Sequence, residues 1–417
     1  MKLAPMYNAA RMPAPDPEAL RVLRERGFIQ QISDEEELKQ QLAGGRVTFY
    51  SGFDPTASSL HVGSLVPLMA MAHLARAGHR PIALLGGGTT MVGDPSGKTE
   101  LRQMLSKEAI ADNRAGIEAQ VRRVLGDVPD AVVVDNGEWL LPLNYIDFLR
   151  EIGRHFSVNR MLAAEAYKQR LEKGLSFIEF NYQLLQAYDF LVLKRRHDCT
   201  LQIGGDDQWG NIVAGVDLIR RVDQGQAFAL TFPLITTASG AKMGKTAAGA
   251  VWLDAARTSP YDFYQYFVNV DDRDVVRFLK LFTVVPLAEI ERFEAIVGAE
   301  LRDAKRLLAR GVTTIVHGAA AAGEAQRAAA AAFGGGGDES AIPTFAVAGT
   351  EKVVDVLAAS GLAASKSVAR RLVEQGGVRV GDRKVATVDE TLTAGEIGGG
   401  VLLHAGKKSV RRLVLAR

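Results

Sequence analysis

The chain has 417 residues, 47% of them hydrophobic, with a mean hydropathy of +0.02, enough for two or three domains that each bury a core. No apolar run approaches the roughly 18 residues of a membrane span, and the N-terminus lacks the continuous apolar stretch of a secretory signal. A single cysteine, Cys199, excludes an internal disulfide and any multi-cysteine metal site, which predicts a buried structural thiol in a cytoplasmic protein. The formal net charge is only +2, yet residues 363–417 carry 11 Lys/Arg against 5 Asp/Glu, a local +6 on a body that is net −4. A basic tail on a near-neutral body is the electrostatic footprint of nucleic-acid contact or of a merely soluble basic surface.

In chain order, Arg46–Phe53 and Arg80–Leu85 read as strands, with a helix over Leu60–Ala77 between them closed by Gly78. Ala131–Asp135, Thr200–Ile203 and Phe228–Thr237 read as further strands, the last with a break or edge at Pro233. Such alternation predicts a parallel sheet covered by helices, with ligands at the carboxyl ends of the strands. A long helical insertion over about 101–194 is expected to interrupt it. Ser259-Pro260 signals a helix start, and the pattern stays helical to about Phe333 through an Ala-rich run. The GGGGDES stretch, 334–340, reads as a linker. Beyond it come Val353–Leu357, a helix over SKSVARRLVEQ, and a hairpin turning at Gly381-Asp382. The expected domains are therefore 1–258, 259–333 and 341–417.

Five short segments carry the candidate chemistry. GDPSGKT, Gly93–Thr99, ends like a P-loop, but the pattern requires a glycine at position 92, which is Val92, and Pro95 removes a donor N–H. In YSGFDPTASSLHVGS, Tyr50–Ser64, a strand and loop lead to His61 and Gly63 at a helix start, where unpaired N–H groups suit a phosphate and Gly63 lets a flat group approach. SGAKMGKT, Ser239–Thr246, offers two lysines three apart in a loop able to swing onto a triphosphate. LQIGGDDQWGN, Leu201–Asn211, ends a strand in two glycines and an acidic pair, where Asp207 either caps a helix or accepts ribose hydroxyls. In FNYQLLQAYDF, Phe180–Phe190, Tyr182, Gln186 and Asp189 share one helical face, either surface or the wall of a polar pocket.

Together and in their order along the chain, these segments resemble the bacterial tyrosyl-tRNA synthetases, members of the class I aminoacyl-tRNA synthetase family. HVGS is similar to the family's His-Ile-Gly-His signature and KMGKT to its Lys-Met-Ser-Lys-Ser signature; the match spans about residues 30–260 and resumes in the tail. The resemblance implies an α/β fold: a Rossmann-like, doubly wound parallel-sheet catalytic domain with a helical insertion, then an α-helical anticodon-side domain and a small α+β RNA-binding domain of the kind found in a ribosomal small-subunit protein. It implies that tyrosine attacks ATP to give tyrosyl-adenylate and pyrophosphate, after which the tyrosyl group passes to the terminal adenosine of its tRNA. ATP enters as co-substrate with Mg2+, without a protein-bound metal site.

Residue by residue, the resemblance implies that Thr56 and His61 hold the phosphates, with Lys242, Lys245 and Thr246 from the mobile loop, and that Lys98 and Arg102 engage pyrophosphate. Asp54, Gly63, Ser64, Gly205, Asp207 and Gln208 fall on the ATP side. Tyr50 and Asp189 face the substrate phenol, while Asp94, Tyr182 and Gln186 receive its ammonium. Ser365, Lys366, Arg370, Arg371, Arg379 and Lys384 become tRNA phosphate contacts. The family is homodimeric, with an interface around His155–Phe177. Two positions depart from the signatures: Ser64 replaces the second histidine, and Gly244 stands where the general pattern has serine. The competing readings are a tryptophan-specific synthetase, a P-loop kinase or NTPase, and a non-catalytic RNA-binding protein.

Overall fold

Arg80–Leu85 is apolar at almost every position, and the reason is that both its faces are covered: Ile82, Ala83, Leu84 and Leu85 are all buried. It is β3 of a six-stranded sheet whose other strands are β1 (Gln31–Ile32), β2 (Thr48–Phe53), β4 (Val132–Asp135), β5 (Cys199–Gly205) and β6 (Phe228–Phe232), in the order β1-β6-β5-β2-β3-β4. All neighbours run parallel except β1, which pairs antiparallel with β6 at the edge. The computed structural model describes residues 16–96, 105–126, 128, 130–172, 174–241, 243–246, 249–296, 298–334, 342–406 and 408–416.

The strand order reverses direction between β2 and β5, so a crevice opens beyond their carboxyl ends, the usual ligand position in a doubly wound sheet. The Leu65–Arg76 helix follows β2, and the Lys107–Leu125 helix links β3 to β4. This corrects the expected 101–194 helical insertion. Its first helix is an ordinary crossover and β4 belongs to the sheet, so the true insertion runs between β4 and β5. Phe228–Phe232 stops one residue before Pro233, as a missing N–H donor requires.

Ser259 caps the Pro260–Val268 helix through its hydroxyl, which accepts from Asp262 N at 3.1 Å, with Pro260 in the first turn. That helix opens an all-helical region ending at Gly334. Phe263, Phe267, Phe278 and Leu308 join the core that packs one face of the sheet. The buried Arg26 guanidinium ties the two regions, donating to the carbonyls of Lys280, Thr283 and Val285 at 2.7–3.0 Å. The tail builds a five-stranded sheet from Arg383–Lys384, Val378–Val380, Val401–Ala405, Ser409–Leu415 and Thr344–Val347, in that order. Val353–Ala359 and Lys366–Glu374 are its longer helices, and the predicted hairpin turns at Gly381-Asp382 with Val380 opposite Arg383. Residues 335–340 of the expected linker lie outside the described residues. Cys199 is buried, as expected. No helix of the described residues is long and apolar enough to cross a membrane.

Candidate active site

A cavity of about 200 Å3 lies at the reversal point, lined by Tyr50 and Asp54 from β2 and its loop, Gly204 and Gly205 from β5, and Tyr182, Gln186 and Asp189 from the Tyr182–His197 helix. The i, i+4, i+7 spacing therefore does form a pocket wall and not a surface stripe. Asp94, Gln208 and Gln202 complete the mouth and floor.

At the closed end, Asp189 is 1% exposed. Its Oδ1 accepts from the Trp139 indole N–H at 2.7 Å and its Oδ2 from Asn136 Nδ2 at 2.8 Å. Burial pushes its carboxyl up to about 8, against the pull of those two donors, and the charges of Asp54 and Asp135 push the same way. Tyr50 lies beside it with a fully buried hydroxyl that has no hydrogen-bond partner among the described residues. Burial, together with the Asp189 charge, holds that phenol well above its usual range, so it remains an O–H donor. Buried donors are rarely left unpaired, and this one faces a cavity.

Two further carboxylates sit nearer the mouth. Asp54 Oδ1 accepts from Thr89 Oγ1 at 2.8 Å and Oδ2 from the Tyr182 hydroxyl at 2.9 Å. Asp94 Oδ1 accepts from Ser96 N at 2.9 Å and Oδ2 from Gln208 Nε2 at 2.7 Å; burial raises its pKa. The amino-acid and nucleotide sets expected from the sequence thus interleave. Tyr182 bonds to Asp54 of the nucleotide set, and Gln208 of that set bonds to Asp94.

His61 is exposed and precedes the Val62–Ser64 turn that opens the Leu65–Arg76 helix. Its Nδ1 accepts from Gly63 N–H at 3.0 Å, which leaves the ring proton on Nε2. A Cβ on Gly63 would fall 2.7 Å from His61 Cε1. This glycine makes room for the neighbouring imidazole. Thr56 is exposed above the same loop, and Ser64 makes no capping bond.

The KMGKT loop packs directly on this segment. Gly244 sits at φ 78°, and its carbonyl accepts from Val251 N at 2.8 Å. A Cβ there would come 3.3 Å from both Gly63 N and Val62 Cβ, besides the unfavourable φ, so glycine in place of the signature serine fits this turn. Met243 is buried. Lys98, Arg102 and Lys242 lie outside the described residues, and of Lys245 and Thr246 only the backbone is described, as strand.

Asp207 caps neither the Asp206–Gln208 turn nor the Trp209–Asp223 helix. Its neighbour Asp206 serves structure, accepting from Gln31 Nε2 at 2.7 Å and Thr231 Oγ1 at 2.9 Å. Sequence reasoning missed Asn136, Trp139 and Thr89. The signal was present: DNGEW begins on the last residue of β4, at a strand's carboxyl end, where polar residues converge on ligands. In the tail, Ser365 caps its helix by accepting from Val368 N at 3.3 Å, and Lys366 pairs with Asp355 at 2.8 Å. Arg370, Arg371, Arg379 and Lys384 are exposed, and Arg379 stands opposite Lys384 in the hairpin.

Among the described residues no group of three or more His, Cys, Asp or Glu is arranged to hold a metal ion. A crevice at the switch point of a doubly wound sheet, followed by a helical region and a small basic α+β unit, defines the architecture of an aminoacyl-tRNA synthetase. The family model of class I tRNA synthetases specific for tryptophan and tyrosine matches residues 42–334, and an S4 domain matches 351–397. The chain belongs to that class I family, and relatives place it on the tyrosine side. A tyrosine–tRNA ligase of Clostridium beijerinckii is 53% identical over 94% of this chain and 98% of its own length, and one of Desulfosudis oleivorans is 53% identical over 95% and 98%. The crystal structure of a C-terminally truncated mitochondrial tyrosyl-tRNA synthetase of Coccidioides posadasii superposes with a TM-score of 0.65 at 31% identity, covering 74% of this chain and 91% of that one. This membership removes the P-loop and purely RNA-binding readings.

Proposed function

We propose that the chain activates tyrosine with ATP and transfers it to tRNA, with the cavity as the tyrosine site. One observation carries the reading: the unpartnered Tyr50 hydroxyl beside the buried Asp189 carboxylate at the closed end. A phenol both accepts, from Tyr50, and donates, to Asp189; an indole N–H only donates, and a phenyl ring does neither. Either rival amino acid would leave a buried polar group unpaired.

Asp94 and Gln186 receive the substrate ammonium in this reading, and Tyr182 holds Asp54 in place beside them. Asp54, Gly205, Asp207 and Gln208 lie toward the adenosine, and His61 offers its Nε2–H to phosphate with Thr56. A carboxylate is nucleophilic at neutral pH without a base, so attack on the α-phosphorus needs positioning and charge stabilisation. Lys242, Lys245, Lys98 and Arg102 supply the charge and Thr246 a hydroxyl donor, each contact contributing ~2–4 kcal/mol in the transition state. Mg2+ enters bound to the triphosphate. Arg370, Arg371, Arg379 and Lys384 meet tRNA phosphates, and the protein works in the cytoplasm as a homodimer. The exposed Tyr145, Ile146, Val158 and Phe177 of the insertion support that last assignment. The domains divide as 1–258, 259–333 and 341–417.

Pyrophosphate exchange into ATP, run separately with tyrosine, phenylalanine and tryptophan, tests the reading. Tyrosine alone should support exchange, and Tyr50→Phe should narrow its margin over phenylalanine. Exchange with tryptophan and none with tyrosine would overturn it.

A further inference from the structure

The Met243-Gly244 pair is the pivot between the two lysines of the KMGKT loop, and a single side chain from another part of the fold grips it. The Tyr266 hydroxyl accepts from Gly244 N–H at 3.1 Å and donates to Met243 Sδ at 3.2 Å. On the other side, Gly244 O accepts from Val251 N at 2.8 Å, and Val62 N donates to Val251 O at 2.9 Å. Met243 N donates to Ile235 O at 3.1 Å. The backbone bonds align the pivot with the His61 segment, and the Tyr266 hydroxyl fixes it against the helical region.

Tyr266 stands on the Pro260–Val268 helix, one turn after Asp262. Asp262 takes a bidentate grip from Arg411 of the C-terminal sheet, at 2.8 and 3.0 Å, with both side chains partly buried. Lys408, in the same hairpin, donates to Asn269 O at 3.3 Å, just past the helix end. One short helix therefore meets the RNA-binding unit at both ends and the lysine-bearing loop near its C-terminal end. Beside this contact runs a cleft of about 610 Å3, lined by Ser239 and Val251 from the loop side and by Lys408 and Arg411 from the tail, so the helix has open space on the face that joins the two.

We propose that Tyr266 is a positioning residue for the KMGKT loop, and that the Arg411–Asp262 pair couples it through the Pro260–Val268 helix to the docking of the C-terminal domain. The proposal rests on the reading that Lys242 and Lys245 act on ATP. The hydroxyl touches no substrate. It holds the Met243-Gly244 turn that stands between Lys242 and Lys245 in the sequence, so docking of the tail on tRNA acts on the ATP half of the reaction and leaves the tyrosine half alone.

Steady-state pyrophosphate exchange by the full-length chain and its Tyr266→Phe, Arg411→Met and double variants is the test. The phenylalanine keeps the ring packed on Phe267, whose centroid lies 5.1 Å away, and removes only the hydroxyl. Loss of that bond should raise KM for ATP or lower kcat by about 3- to 10-fold, with KM for tyrosine within about twofold and the melting temperature lowered by only about 2–4 °C. Arg411→Met should act in the same direction and more weakly, and the double variant should fall short of the product of the two. Unchanged ATP parameters in Tyr266→Phe, or equal changes for ATP and tyrosine, would overturn the positioning role. Effects that multiply would overturn the coupling. Lys242→Ala in parallel separates the levels: if it leaves ATP parameters intact, the phosphate reading of the loop has failed, whatever Tyr266→Phe does.

Discussion

Replacing Asp189 by asparagine should change how the unliganded protein's stability depends on pH. In the folded chain the buried carboxyl has its pKa pushed up to about 8, against 3.8 as its ordinary value. Between those values the folded state holds a proton that the unfolded state has released. The contribution is therefore fully present below pH 3.8 and is lost as pH rises through about 8, at about 1.4 kcal/mol per unit. Asparagine does not titrate, so from pH 5 to pH 7 the variant should gain about 2.7 kcal/mol on the wild type. A constant offset runs the other way. Trp139 and Asn136 both donate to the carboxylate, and an amide offers one acceptor oxygen, so one donor is left facing an NH2 group at about 1–3 kcal/mol. Urea unfolding of both proteins at pH 5, 6 and 7 without tyrosine, followed by tryptophan fluorescence, gives the difference directly. A difference that stays flat across the three values would refute the burial argument.

Asn136→Ala should remove a donor from Asp189 and an acceptor from Gly88 N, at 2.8 Å each, and lower stability by about 2–4 kcal/mol. In exchange assays KM for tyrosine should rise at least about tenfold while KM for ATP stays nearly level. Glu179→Ala leaves the Arg170 guanidinium, 2% exposed, without the carboxylate 3.0 Å away, and thermal unfolding should show a loss of about 3–5 kcal/mol. Replacing Arg370 and Arg371 together by glutamine should flatten the dependence of log affinity for tRNA on log salt by about 1 per charge. Tyrosine-supported exchange by that variant should not move.

Where local chemistry decides, the sequence was legible. Arg80–Leu85 could only be a strand covered on both faces, Ser259-Pro260 could only start a helix, and Gly381 took the positive φ of a two-residue hairpin turn. The two-residue β1 was not legible, because nothing in Gln31–Ile32 specifies a strand apart from the β6 edge it pairs with. Asn136 and Trp139 lie about fifty residues from the carboxylate they hold, a distance that no local pattern spans. Four of the five signature segments send side chains to one cavity, which no described residue of Ser239–Thr246 lines, and the allocation inside it was not readable. That Tyr182 bonds to Asp54 and Gln208 to Asp94 depends on how β2, β5 and the Tyr182–His197 helix converge.

Asp54, Asp94 and Asp189 share this cavity, and no lysine or arginine lines it among the described residues. Burial and the Asp54 charge together raise both Asp94 and Asp189, and a cation bound beside either would pull it back down. In the binding mode proposed above, tyrosine brings an ammonium toward Asp94 and a phenol O–H toward Asp189, and both would favour the ionised carboxylates. At pH 7 a group titrating at about 8 is about nine-tenths protonated, so tyrosine binding should release close to one proton from Asp189 alone. Titration calorimetry in buffers of different ionisation enthalpy reads that number. Release should shrink as pH rises past 8 and vanish at that pH range in Asp189→Asn if the variant still binds. No release at pH 7 would mean that Asp189 stays neutral in the complex, which would remove the ionised acceptor from the specificity argument.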